Sequence, residues 1–166
     1  MIIVSDTTPL NYLILIDQVH ILHELYGSVL IPQSVFDEMQ RAETPAEVRA
    51  WVADRPEWLE VRPAQTTDPS LKLGAGESEA IALALELHAD ALLLDDRKAR
   101  QEAQKRGLTV TGTLAVLATA ARRDLVDLPT AISRLQKTTF RAPATLIQSL
   151  LDQDRERKEQ GGGIEE

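Results

Sequence analysis

Short apolar runs alternate along this chain with amphipathic stretches of helical period. Ile2, Ile3 and Val4 form a β-branched run of the kind that fits a strand buried on both faces, and Ala91–Leu94 is a second short apolar run of the same length class. Both runs end in aspartate, at Ser5-Asp6 and at Asp95-Asp96. A helix is expected after each: Thr8 reads as an N-cap with Pro9 as the first helical residue, and RKARQEAQKR follows the second pair. Ser28–Ile31 and Leu108–Thr111 predict further strands, with a weaker edge strand at Trp58–Val61. Apolar residues at helical spacing predict helices over Pro9–Ile16 and over Gln18–Tyr26, the latter capped by Asp17 and closed by Gly27. QSVFDEMQR is expected to be helical, with Glu38 beside the stripe of Val35 and Met39. Thr44 to Glu47 has the form of a capping box opening a helix from Pro45 to about Asp54. Later helices are expected after Gly74-Ala75-Gly76, over Arg97–Arg106 and Thr113–Arg123, and over Thr130–Lys137 and Ala144–Lys158.

The βαβ rhythm from Gly76 to Gly112 implies an α/β fold with a parallel sheet and right-handed crossovers. In such a sheet both aspartate-tipped strands end on one edge, where ligands bind at the switch point. No linker-like change in composition divides the chain, so one domain is expected over residues 1–158, with 159–166 (EQGGGIEE) as a disordered tail. The absence of cysteine excludes disulfides, thiolate metal sites and a cysteine nucleophile. With no basic-plus-apolar leader and no apolar run near ~18 residues, the expected location is the cytoplasm, without a membrane span. The net charge of −8 argues against binding nucleic acid by phosphate neutralisation alone. It leaves room for an acidic cluster neutralised by divalent metal.

Acids at strand–helix junctions are also favoured simply as caps and by the helix dipole, so no single one carries the case. Asp6 is the strongest, because Thr8 is the better cap and leaves Asp6 without a structural duty. Glu77 and Glu79 share one first turn, where capping accounts for one acid but not both. Asp95 and Asp96 point in different directions, one suited to cap the next helix and the other to face a site. Glu38 taken alone reads equally as a surface residue. As a set, these carboxylates would repel one another without a cation, and all-oxygen sites suit Mg²⁺ or Mn²⁺. Such a site can activate water against a phosphodiester without a protein nucleophile. Arg97 and Lys98, next to the second aspartate pair, are the candidate phosphate contacts. His20, His23 and His88 fall in helical segments away from the strand ends and suggest neither a serine–histidine system nor a metal site.

VSDTTPLNYL, VLIPQSVFDEM, GESEAIALALEL and ALLLDDRKARQEAQKRGLTVTGTLAVL, in that order and spacing, resemble the PIN-domain family, in the branch similar to VapC-type toxins. The likeness covers about Ile2 to Leu128. It implies a three-layer α/β/α sandwich with a central parallel sheet and a Mg²⁺- or Mn²⁺-dependent ribonuclease site. Carried over by motif, Asp6, Glu38, Glu77 and Asp96 (or Asp95) would be its acids. Two positions depart from the commoner pattern: Glu77 where aspartate is usual, and Leu94 where a threonine or serine often stands two residues before the last aspartate. The resemblance also implies an RNA substrate, a homodimer and a small antitoxin partner. The competing readings are a nuclease for DNA or structured nucleic acid, and a catalytically weak PIN-like binding module. A response-regulator-like phosphoacceptor is weaker, because TVTGT lacks the lysine it needs.

Overall fold

The protein is described here by a computed structural model covering residues 1–164. By its internal contacts the chain forms two compact units, residues 1–113 and 114–166. The first contains β1 (Ile3–Ser5), α1 (Thr7–Leu15), α2 (Ile21–Tyr26), β2 (Val29–Ile31), α3 (Gln33–Glu38), α4 (Ala46–Ala53), β3 (Leu59–Val61), α5 (Ala75–Glu86), β4 (Ala91–Leu93), α6 (Arg97–Lys105) and β5 (Val110–Thr111). Its strands make one all-parallel sheet in the order β3-β2-β1-β4-β5, the centre of a three-layer α/β/α fold. The expected parallel sheet is therefore present, with the weak strand β3 at an edge.

The chain leaves β1 toward β2 and β3 on one side and returns through α5 to β4 and β5 on the other. The switch point thus lies between β1 and β4, whose register pairs Ser5 with Leu93. Beyond the last pair, Asp6 N donates to Leu93 O at 2.9 Å, so the two aspartate-tipped strand ends are tied side by side. Apolar burial on both faces explains why β1 and β4 sit centrally: Val4, Leu92 and Leu94 pack with Ile81, Leu83 and the alanines of α5 and α6. Small side chains at Ala80, Ala84, Ala99 and Ala103 let these helices lie close to the sheet.

Three helix starts differ from the pattern in the sequence. Asp6, not Thr8, is the N-cap of α1, and Pro9 lies inside the first turn. Asp17 ends α1 instead of opening the next helix: at φ 59° it takes the left-handed conformation an aspartate tolerates, and α2 begins only at Ile21. Thr44 Oγ1 donates to Glu38 O at 2.8 Å, so Pro45 and not Thr44 occupies the N-cap position of α4.

The second unit contains α7 (Thr113–Arg122, which starts at the last residue of the first unit), α8 (Leu128–Gln136) and α9 (Ala144–Ile164). Asp127 caps α8 through Thr130 N, and α8 packs on α9. Asp154 of α9 is buried and paired with Arg157 at 3.0 Å and Lys158 at 2.9 Å. The helix α9 continues past Lys158 into the segment expected to be a disordered tail, of which Glu165 and Glu166 lie outside the described residues.

Glu79 of α5 accepts from Ser34 N at 2.7 Å and from Ala64 N at 3.1 Å. It supplies from a neighbouring helix the cap that α3, which starts after Pro32 and has no side-chain cap of its own, would otherwise lack. Glu79→Ala is expected to lower the unfolding free energy in urea by about 2 kcal/mol, the scale for losing bonds to a half-buried carboxylate. Glu79→Gln, which keeps an acceptor oxygen, should lose less.

Candidate functional site

At the carboxyl edge of the sheet, a cavity of about 320 Å³ is lined by Asp6, Glu38, Glu77 and Asp96, together with Thr7 and Arg41. Four separate pieces of sequence supply the acids: the turn after β1, the end of α3, the first turn of α5 and the start of α6. Asp6 is only 4% exposed. Glu38 Oε2 accepts from Thr7 Oγ1 at 2.9 Å, which fixes the glutamate against the start of α1. Glu77 accepts from Gly74 N at 3.3 Å, and Asp96 caps α6 by accepting from Ala99 N at 3.0 Å. Both acids thus have the capping duty that sequence offered as the bland explanation, and both still line the cavity.

Gly76 is what allows this convergence. A Cβ there would lie 2.9 Å from Glu38 Oε2 and 3.5 Å from Asp6 Oδ1, so a side chain at this position would push the Glu38 carboxylate from its place while only touching Asp6. The unpaired N–H groups and positive dipole end of α5 favour negative charge at that place.

The charge is nonetheless incompletely compensated. Burial raises the Asp6 pKa from 3.8 to about 7 against the lowering effect of the Thr7 N–H, and Glu77, Glu38 and Asp95 add repulsion. Glu77 is also shifted upward, first by burial and then by the charge of Asp96. Among the described residues, none of these acids forms an ion pair with Lys, Arg or His.

The adjacent aspartates diverge. Asp96 faces the cavity, whereas Asp95 accepts from Thr113 N at 2.8 Å and Thr113 Oγ1 at 2.6 Å and does not line it. Burial raises the Asp95 pKa despite those two bonds and the charge of Arg100. Arg97 and Lys98 are exposed at the start of α6 and do not line the cavity; Lys98 Nζ donates to Lys72 O at 3.3 Å. Arg41 does line it, although sequence reasoning did not select it. Its position three residues after Glu38, on the same side of a helical turn, was the available signal. The histidines lie elsewhere, His23 Nδ1 donating to Gly27 O at 2.6 Å and its ring stacking on Trp58.

Carboxylates with neighbouring hydroxyls, and neither thiolate nor imidazole, form a donor set whose chemistry fits a hard divalent cation. Among the described residues, no three His, Asp or Glu side chains stand close enough together to hold an ion as placed.

The raised Asp6 pKa has a signed consequence. A carboxyl that holds its proton more tightly folded than unfolded contributes stability that is fully present below pH 3.8 and is lost as pH rises through about 7. In metal-free buffer, Asp6→Asn should remove that loss. Its melting temperature relative to wild type is expected to climb between pH 5 and pH 8, by up to a few kcal/mol in stability terms. A flat difference across that range would contradict the burial of an ionising Asp6.

Comparison with known proteins agrees with this architecture. Among solved structures, a PilT N-terminus domain protein from the hyperthermophilic archaeon Sulfolobus solfataricus P2 is similar at a TM-score of 0.54 and 21% identity, over 72% of this chain and 93% of that one. Among curated proteins no relative matches. The family model DUF3368, described as a PIN domain, matches residues 2–156, and the chain therefore belongs to the PIN-domain family.

Proposed function

We propose that this chain is a Mg²⁺- or Mn²⁺-dependent endoribonuclease, the VapC-like toxin of a toxin–antitoxin pair. The observation that carries the proposal is the single cavity into which the fold brings Asp6, Glu38, Glu77 and Asp96 from four distant segments. The PIN fold is a nuclease-type fold, and no helix among the described residues is long and apolar enough to cross a membrane. A homodimer, a small antitoxin and a cytoplasmic location belong to the same proposal.

Asp6, Glu38, Glu77 and Asp96 would hold the cation. When bound, a divalent ion supplies Lewis-acid activation of water and neutralises charge developing on the phosphodiester. Hydrolysis adds the water oxygen to phosphorus, breaks one P–O ester bond and leaves a proton on the departing oxygen. The chain's own contribution is orientation: Thr7 Oγ1 on Glu38, Gly74 N on Glu77 and Ala99 N on Asp96 each hold a carboxylate in place. Glu77 and Asp96 are thereby anchored to helix starts and keep little rotational freedom, which is the condition for a preorganised site. Arg97 and Lys98, exposed beside Asp96, would meet phosphates of the same strand outside the cavity.

A second reading, a catalytically weak binding module, is favoured by one observation: no three of the acids are drawn to ligand distance. Incubation of a mixed RNA pool with the purified protein separates the two. The nuclease reading expects cutting with Mn²⁺ that stops with chelator and falls at least about 100-fold in Asp6→Asn and in Glu38→Gln. Equal inertness of wild type and variants would favour the binding module, and cleavage of DNA in preference to RNA would move the substrate class.

A further inference from the structure

The carboxylate cavity does not end at Arg41. A second cavity of about 390 Å³ shares Thr7, Thr8, Glu38 and Arg41 with the first and adds Asn11, Glu43 and Thr44. The two form a continuous groove from the acids, along the start of α1, to the turn between α3 and α4. Across both cavities Arg41 is the one lysine or arginine among the lining residues. Its side chain is exposed and, among the described residues, has no ion pair or hydrogen bond.

The backbone around Arg41 is nonetheless firmly placed. Arg41 N donates to Glu38 O at 3.2 Å, and Thr44 N donates to Arg41 O at 3.1 Å. Thr44 Oγ1 closes the turn on Glu38 O at 2.8 Å. The same turn therefore holds a cavity carboxylate, through Glu38, and an uncommitted guanidinium at the junction of the two cavities. With no carboxylate at bonding distance, the Arg41 guanidinium has donors that no group of the described residues occupies. It presents a planar fork of donors matched to phosphate oxygens. On a chain of net charge −8, phosphate needs such a local cation to enter.

From this juxtaposition we infer that Arg41 is the phosphate-binding residue of the groove, holding the backbone of a single-stranded nucleic acid where it passes from the acids into the second cavity. Thr7, Thr8, Asn11 and Thr44 give that strand neutral hydrogen-bonding groups along its path. Glu43 limits how tightly a polyanion is held there. The inference rests on the nuclease reading above.

The test compares wild type, Arg41→Ala and Arg41→Lys. Steady-state cleavage of a labelled single-stranded RNA is measured with Mn²⁺, and equilibrium binding of the same RNA by fluorescence anisotropy with Ca²⁺ across a salt series. Arg41→Ala is expected to raise KM and Kd about tenfold and leave kcat within about threefold. It should also lower the slope of log Kd against log salt by about 0.7, one phosphate contact on a single strand. Arg41→Lys should restore the salt slope and recover part of the affinity. The melting temperature should not move, because the side chain is exposed. If wild type cleaves while Arg41→Ala matches it in KM, Kd and salt slope, the inference is overturned and the nuclease reading stands. A fall confined to kcat would also overturn it, placing Arg41 in the chemical step and not in binding. If wild type neither binds nor cleaves RNA, both fail together.

Discussion

Negative charge gathered at the carboxyl edge of a parallel sheet is the constraint to which residues 1–113 answer. Burial holds Asp6 near a pKa of about 7, and three further carboxylates contribute repulsion. The fold offsets part of this by aiming the first turn of α5 at the acids, where the absence of a side chain on Gly76 leaves the Glu38 carboxylate undisturbed. It offsets another part with the Thr7 hydroxyl on Glu38. What is left has no ion-pair partner among the described residues, and an external cation is the economical way to satisfy it.

The acids of this unit fall into two physical classes. Glu86 is partly exposed, accepts from Gln65 N and Thr66 N, and has its pKa lowered by those bonds. Glu79 bridges α3 and the segment after β3. These residues tie loops and helix starts to α5. Asp6 and Glu77 are instead shifted upward by burial and by the charge of neighbouring carboxylates, so holding them ionised costs folding free energy. A structural acid is normally stabilised in its charged form; a group destabilised in that form points to a task outside folding. Asp95 is intermediate, shifted upward by burial yet fully engaged with Thr113.

The parallel sheet and the end of β1 were legible because the signals are short-range: a β-branched run cut off by aspartate fixes both where β1 ends and where Asp6 lies. The same kind of signal misled at helix starts. Thr8, Asp17 and Thr44 are good caps locally, but Asp6 takes the cap position of α1, Asp17 turns left-handed past the end of α1, and Thr44 Oγ1 is bound to Glu38 O. The choice between Asp95 and Asp96 depended on Thr113, eighteen residues on from Asp95. Arg41 was invisible as a groove residue because the second cavity joins α1 to the turn before α4, a contact that exists only once the chain has folded.

The central claim is that Asp6, Glu38, Glu77 and Asp96 together form a divalent-cation site. Calorimetric titration of the metal-free protein with Mn²⁺ tests it without reference to any substrate. Saturable binding by wild type is predicted, lost in the double variant Asp6→Asn/Glu38→Gln and retained in Glu86→Gln, whose carboxylate serves a loop outside the cavity. Identical titrations of wild type and the double variant would contradict the claim.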